Sequence, residues 1–324
     1  MRYHGSIGIS HVAYRLPGGP IPLEDLESRA LLTSPAPLLR EFGFDRCYAA
    51  GDGASLEPLS LACAREVMGQ ARLRPLDLEA LCVYSAITRP ADAGGIGEPD
   101  TGAAHQLAPF RYPAARLHFE LGLGDVPLLG FAQQGCCGLL AMIDVAARLL
   151  QGADHRAVLC VAQDRLPPGA RREIMYNVVS DAAGALVLEK ASARNRLISF
   201  HQRVQTYYWD TPRREQELLA AYFPMAKRVI DECLRLSDLT VEQIAWFVPT
   251  NVSVRSWAVL AEILPVSQER IWLRNVSRIG HTVSCDQILN LADMDAQGAL
   301  TSGDYLFFFT FGFGASWSCL ILQH

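Results

Sequence analysis

Two adjacent thiols held between glycines, Gly135-Cys136-Cys137-Gly138, are the residues best placed by type and spacing to do chemistry. A short run, Leu128 to Gln133, leads into them, and an apolar-periodic segment, Leu139 to Leu150, follows with the spacing of a buried helix. A cysteine at such a strand-to-helix turn has its sulfur near the positive end of the helix dipole, which favours the nucleophilic thiolate. The glycines let the backbone turn sharply and let a substrate come close. Two plainer readings fit the same residues. Most free cysteines are small buried hydrophobes, and neighbouring cysteines can form a strained vicinal disulfide.

The elements that must position this turn read as an α/β chain, with strand and helix patterns alternating throughout. Ser6 to Tyr14 reads as a strand followed by a Pro/Gly loop, 55–73 as a helix, and Ala80 to Ser85, Ala157 to Ala162 and Ala185 to Leu188 as strands. Residues 86–113, rich in Gly, Pro and Ala, read as a long functional loop with a short helix. The stretch 190–215 is polar and aromatic, with Tyr207, Tyr208 and Trp209, and ends in the charged run Arg213-Arg214-Glu215.

An internal repeat runs through the chain. Residues 64–85 and 226–249 share a pattern of helix, turn with Leu and Asp, and buried strand. The turn at Cys136, its helix, Gly152-Ala153-Asp154 and strand Ala157 to Ala162 parallel a second turn at His281, its helix, Ser302-Gly303-Asp304 and strand Tyr305 to Phe309. Cys136 and His281 therefore hold equivalent places in two halves, 1–166 and 167–324. If the halves pack about a pseudo-twofold axis, a thiol and an imidazole face each other.

Composition removes other classes. The chain has 324 residues, half of them hydrophobic and 19% charged, with a formal net charge of −5, which argues against nucleic acid as the main partner. The N-terminus lacks the apolar h-region of a signal peptide, and no apolar run reads as a membrane span. Nine cysteines, with no C-x-x-C pair, fit free thiols in a reducing cytoplasm and no metal site.

With Val179-Ser180-Asp181-Ala182-Ala183-Gly184-Ala185, Phe247-Val248-Pro249-Thr250-Asn251, Gly280-His281-Thr282 and the closing Phe311 to Trp317 added to the cysteine turn, the chain resembles the ketoacyl-ACP synthase III branch of the thiolase-fold enzymes. The resemblance implies two duplicated α/β halves in a layered αβαβα arrangement, a cytoplasmic homodimer, and acyl-CoA or acyl carrier protein as donor with no further cofactor. Condensing members of that family carry a histidine at the place of Thr250 and an asparagine at the place of His281, a pair that donates hydrogen bonds to a decarboxylation enolate. A threonine offers one weak hydroxyl, and losing one such donor typically costs on the order of 10²–10³ in rate. Decarboxylative carbon–carbon bond formation is therefore not the reading these residues favour.

In exchange the chain has His281 with Asp286 in the same segment, HTVSCDQILNL. The loop can fold back so that Asp286 fixes the ring tautomer and stabilises an imidazolium. The set resembles the Cys-His-Asp acyltransferases of natural-product (polyketide-type) pathways. The plainer readings are a satisfied core histidine and a first-turn acid opposing a helix dipole. The resemblance implies an acyltransferase for groups other than aminoacyl, with Cys136 as nucleophile, His281 as base toward a small hydroxyl or amine acceptor, Asp286 as orienter, and the backbone amides of Cys136 and Phe313 as oxyanion donors. It further implies Thr250 and Asn251 near the acceptor and Arg255 at the pocket mouth facing a carrier's phosphate. His4, His11, His105, His118, His155, His201 and His324 sit in no comparable motif. The competing readings are a decarboxylative synthase, a thioesterase and a non-catalytic partner subunit.

Overall fold

The computed structural model describes residues 1–3, 5–51, 54–87 and 112–324. The long loop expected over 86–113 lies outside the described residues except at its ends, as do His4 and His105. In chain order the first half comprises β1 (Gly8–Arg15), the short pair β2 (Ile21–Pro22) and β3 (Arg46–Cys47) with α1 (Leu23–Ser28) and α2 (Ala36–Glu41) between them, α3 (Glu57–Gln70) and β4 (Leu78–Tyr84). It continues through α4 (Pro113–Glu120), β5 (Leu128–Phe131), α5 (Gly138–Gly152), β6 (Ala157–Asp164), the two-residue strands β7 (Glu173–Ile174) and β8 (Asn177–Val178), and β9 (Ala182–Glu189). The second half comprises β10 (Arg196–Val204), α6 (Thr211–Ser237), β11 (Ile244–Val248), α7 (Val254–Ile263), α8 (Arg274–Arg278), α9 (Asp286–Ala296), β12 (Tyr305–Gly312) and β13 (Ser316–Gln323).

The long strands are near-continuous apolar runs because both of their faces are covered. In β4, Ala80, Cys82 and Tyr84 point into a core shared with α5 and α9, while Leu81 and Val83 pack beneath α3. In β12, Leu306 and Phe308 enter the same central core, and Phe307 and Phe309 pack with residues of α6 and α7. Period-two alternation thus sorts each strand into two cores and yields helix, sheet, helix, sheet, helix. This is the expected αβαβα layering.

The strand order carries the duplication. The first half runs β1-β9-β6-β4-β5, and the second runs β10-β13-β12-β11, with a single parallel bridge from Phe247 to Ile271 beyond β11. One pairing, Gly8 with Arg196, joins them into a nine-stranded sheet. The division expected at 166/167 falls ahead of β9, which pairs with β1 and β6 of the first half, so the sheets change over between Glu189 and Arg196. Residues 190–215, read only as polar and aromatic, include the whole of β10. Its apolar pattern is interrupted by His201 and Arg203, both of which bond Glu232 of α6. One stretch, Gly135–Gly152, is in fact long and apolar enough to cross a membrane, but it is the central core helix, buried between the sheets.

Candidate active site

Cys136 lies in a single 3₁₀ turn, Gly135–Cys137, that links β5 to α5. The turn is tightly enclosed. Gly135 has φ +50°, and a Cβ there would lie 3.0 Å from the amide nitrogen of Phe313. A Cβ on Gly312 would lie 2.4 Å from the Gln134 carbonyl and 3.1 Å from the Cys136 nitrogen. Tyr84 donates to the Gly135 carbonyl, and Thr310 Oγ1 donates to the Cys136 carbonyl at 2.9 Å. Glycines on both segments thus bring the backbone of 312–313 against the cysteine turn.

The two thiols have different surroundings. Cys137 is fully buried, faces the carbonyls of Ser316 (3.2 Å) and Thr310 (3.5 Å), and is pushed up in pKa by burial, which keeps it a thiol. Cys136 is 8% exposed and faces His281. All nine cysteines are free, so the vicinal disulfide does not form.

His281 is pinned by its backbone. Its amide donates to the Val178 carbonyl and its carbonyl accepts from Ser180, both at 2.8 Å, which accounts for the Val179-Ser180 part of the sequence motif. Gly280 takes φ +84° ahead of it, and a Cβ there would lie 2.8 Å from the Val178 carbonyl. From this turn Nε2 of the ring lies 3.4 Å from Cys136 Sγ. Nδ1 lies 2.6 Å from Asp286 Oδ2, at the first turn of α9. A carboxylate only accepts, so Nδ1 carries the proton and Nε2 faces the sulfur. Asp286 is fully buried and also accepts from the Asn251 amide at 2.8 Å and from the Thr282 amide and hydroxyl, each at 2.7 Å. Burial alone would lower the His281 pKa; the charges of Asp286 and Cys136 outweigh it and hold the ring well above its usual value.

The other expected residues divide. Asn251 reaches the site through its backbone, while its side-chain oxygen accepts from Asn290. The Thr250 hydroxyl donates to the Phe309 carbonyl and accepts from Gln287, both at 3.3 Å, so its one donor is spent inside the protein. Arg255 lies at the surface, bonded to Glu41 at 2.6 Å and stacked over Phe42. Phe313 presents its amide to Gly135 while its ring, 40% exposed, packs edge-on against Phe311. Trp209, Asp210, Arg213 and Arg214 line a surface cavity of about 260 Å³. Cys136 is walled by Leu166, Val179 and Val283 with Ala86, Ile87 and Ala170 around them, an apolar shell.

Sequence reasoning missed Thr282 and Thr310, whose hydroxyls hold Asp286 and the Cys136 carbonyl. It also missed Asp164, a buried acid whose pKa is raised by burial and which fixes Ser85, Ala86 and Ile87 beside the site. Thr282 adjoins a singled-out residue and was findable; Asp164 ends β6 and Thr310 lies within β12, neither with a local signal. The remaining described histidines are satisfied elsewhere: His11 by Ser10, His118 by the Val126 carbonyl, His155 by Glu79, His201 by Glu232 and His324 by Asn195. Among the described residues no cluster of His, Cys, Asp and Glu is placed to hold a metal.

Comparisons with known proteins fit this geometry. Residues 234–324 match the family described as 3-oxoacyl-[acyl-carrier-protein (ACP)] synthase III C terminal. A beta-ketoacyl-[acyl-carrier-protein] synthase III of Brucella suis is 24% identical over 316 residues, covering 90% of this chain and 91% of the relative. The solved 3-oxoacyl-[acyl-carrier-protein] synthase III of Aquifex aeolicus superposes with a TM-score of 0.81 at 17% identity, covering 98% of this chain and all of that one. A structure of ChlB3, an acyltransferase, superposes with a TM-score of 0.82 at 19% identity, covering 98% of this chain and 97% of that one. The similarity supports transferase chemistry of the ketosynthase or acyltransferase type. Residues 234–324 thus match the synthase III C-terminal family, and the chain as a whole shares the thiolase fold of the solved synthase III structures.

Proposed function

We propose that the chain is an acyltransferase that moves an acyl group from a CoA or carrier-protein thioester, through an acyl-Cys136 intermediate, to a hydroxyl or amine acceptor. The observation that carries this reading is the His281 ring, bonded to Asp286 on one side and 3.4 Å from Cys136 on the other, while the Thr250 hydroxyl is turned to the Phe309 carbonyl. A cationic ring at that distance attracts a thiolate. The thiolate attacks the donor carbonyl, and the tetrahedral oxyanion rests against the backbone amides of Cys136 and Phe313. As the donor's C–S bond breaks, the departing sulfur takes the proton from His281 and leaves as a free thiol. The ring is then neutral and beside an uncharged thioester, which makes it a base. It removes a proton from the acceptor as the oxygen or nitrogen attacks, and Cys136 departs as a thiolate beside the recharged ring.

Two features favour transfer over condensation. A histidine accepts a proton, which an asparagine in its place does not do, and Thr250 has no donor left for an enolate. The apolar shell around Cys136 opposes loss of the acyl group to water. The resemblance to the Cys-His-Asp acyltransferases supports a chain that works without a further cofactor in natural-product biosynthesis, and nine free cysteines suit a reducing cytoplasm. The outer edge of β5 ends the sheet and shows Leu128 36% exposed, which suits strand pairing across a homodimer.

Denaturing mass spectrometry after incubation with acetyl, branched, aromatic and malonyl thioesters tests the reading. Wild type gains the acyl mass, Cys136→Ala gains none, and His281→Ala loads but transfers slower by on the order of 10²–10⁴. Traced CO2 released from a malonyl thioester identifies a condensing enzyme instead. A wild type that gains no acyl mass identifies a partner subunit, and acyl mass lost to water without an acceptor identifies a thioesterase.

A further inference from the structure

On α6, Leu218 and Ala226 are buried against the second sheet, and Tyr222 lies four residues from each, on the same helix face. Its ring packs edge-on against Phe311 with centroids 5.1 Å apart, and Phe311 packs against Phe313 at 5.5 Å. Phe311 leads directly into Gly312 and Phe313, the backbone that presses on the Cys136 turn. The three rings form one aromatic wall running from α6 to the nucleophile. The Tyr222 hydroxyl sits deep: burial raises its pKa, and the nearby sulfurs of Cys137 and then Cys136 raise it further. The protein satisfies the other deep tyrosine hydroxyls, Tyr3 donating to Asp144 and Tyr84 to the Gly135 carbonyl. The Tyr222 hydroxyl bonds no described residue, yet the side chain is only half-buried. A half-buried hydroxyl that no described residue bonds is open to a partner brought in along this aromatic wall.

We infer that Tyr222 lines the approach to Cys136 and that its hydroxyl donates a hydrogen bond to an amide carbonyl of the pantetheine arm of the acyl donor. The inference rests on Cys136 being the site of acylation. When a thioester carbonyl sits at Cys136, the arm's amides lie a few bonds back along the approach. Aromatic faces suit its methylene stretches, and a desolvated amide requires a donor beside it. Tyr222 is thus a specificity residue that selects pantetheine-borne thioesters over simple ones.

The test compares wild type with Tyr222→Phe, which keeps the ring and removes the hydroxyl. Rates of Cys136 acylation are followed by denaturing mass spectrometry with acetyl-, isobutyryl- and benzoyl-CoA, and with the same acyl groups as S-ethyl thioesters, which have no amide. The expected result is a roughly tenfold loss of second-order acylation rate with the CoA donors, as one hydrogen bond gives, and no change with the S-ethyl donors. Pantetheine alone should also protect Cys136 from iodoacetamide less well in the variant. Equal losses on both donor classes mean that Tyr222 only shapes the fold, and unchanged rates on both mean that the hydroxyl touches no donor; either overturns the inference. If wild type gains no acyl mass from any donor while pantetheine still protects Cys136 through Tyr222, the acylation reading fails and the contact stands. Failure of both removes both.

Discussion

The proposed base role requires Nε2 of His281 to be free of a proton when the acceptor arrives, and the two neighbours of the ring govern this. Asp286 and the Cys136 sulfur hold its pKa up, and in the proposed cycle acylation of that sulfur weakens this hold at the moment a base is needed. Because the folded ring binds its proton more tightly than the usual value of 6.5, its contribution to stability is fully present below that value and is lost as pH rises through the folded value. The melting temperature of wild type minus that of His281→Asn should therefore shrink as pH is raised above neutral. A difference that grows with pH excludes a charged resting ring. That Cys136, His281 and Asp286 meet was legible in the sequence because the internal repeat put thiol and imidazole at equivalent turns and the acid followed five residues on. Thr250 was legible as a departure, but its hydroxyl's turn toward Phe309 depends on β12, which is far away in sequence.

The turn that carries Cys136 is set by glycines at its border with α5. A Cβ on Gly138 would come within 2.1 Å of the Tyr84 ring, the same ring whose hydroxyl holds the Gly135 carbonyl. Gly138→Ala must displace one or the other. We expect a stability loss of about 1–3 kcal/mol, the usual cost of overpacking, visible in denaturant unfolding, together with slower acylation. Unchanged stability and acylation would show that Tyr84 has room to move. Elements buried on both faces were readable as apolar runs, so β4, β6 and α5 were found close to their observed bounds. β10 was not, since its polar residues are satisfied by Glu232, a partner that only the packed α6 supplies. β13 follows β12 with only three residues between and reads as part of the closing aromatic motif until its partners are known.

For the molecule as a whole, the repeat visible in the sequence predicted the two-sheet plan, while the changeover at Glu189–Arg196 could not be read from the repeat alone. The edge strand β5, with Leu128 exposed, should pair with its copy. Light scattering should give a dimer for wild type and a monomer for Leu128→Lys, because a charge on an open edge opposes strand addition. A monomeric wild type would remove the homodimer from the proposal. One further consequence comes from the lone Gly8–Arg196 pairing that joins the sheets. Sulfur and imidazole come from opposite sides of that seam, so their spacing rests on bonds that cross it, His281 to Val178 and Ser180 and Thr310 to the Cys136 carbonyl. Thiol reactivity should then report alignment across the seam, and a slight slip there would silence the chemistry long before the chain unfolds.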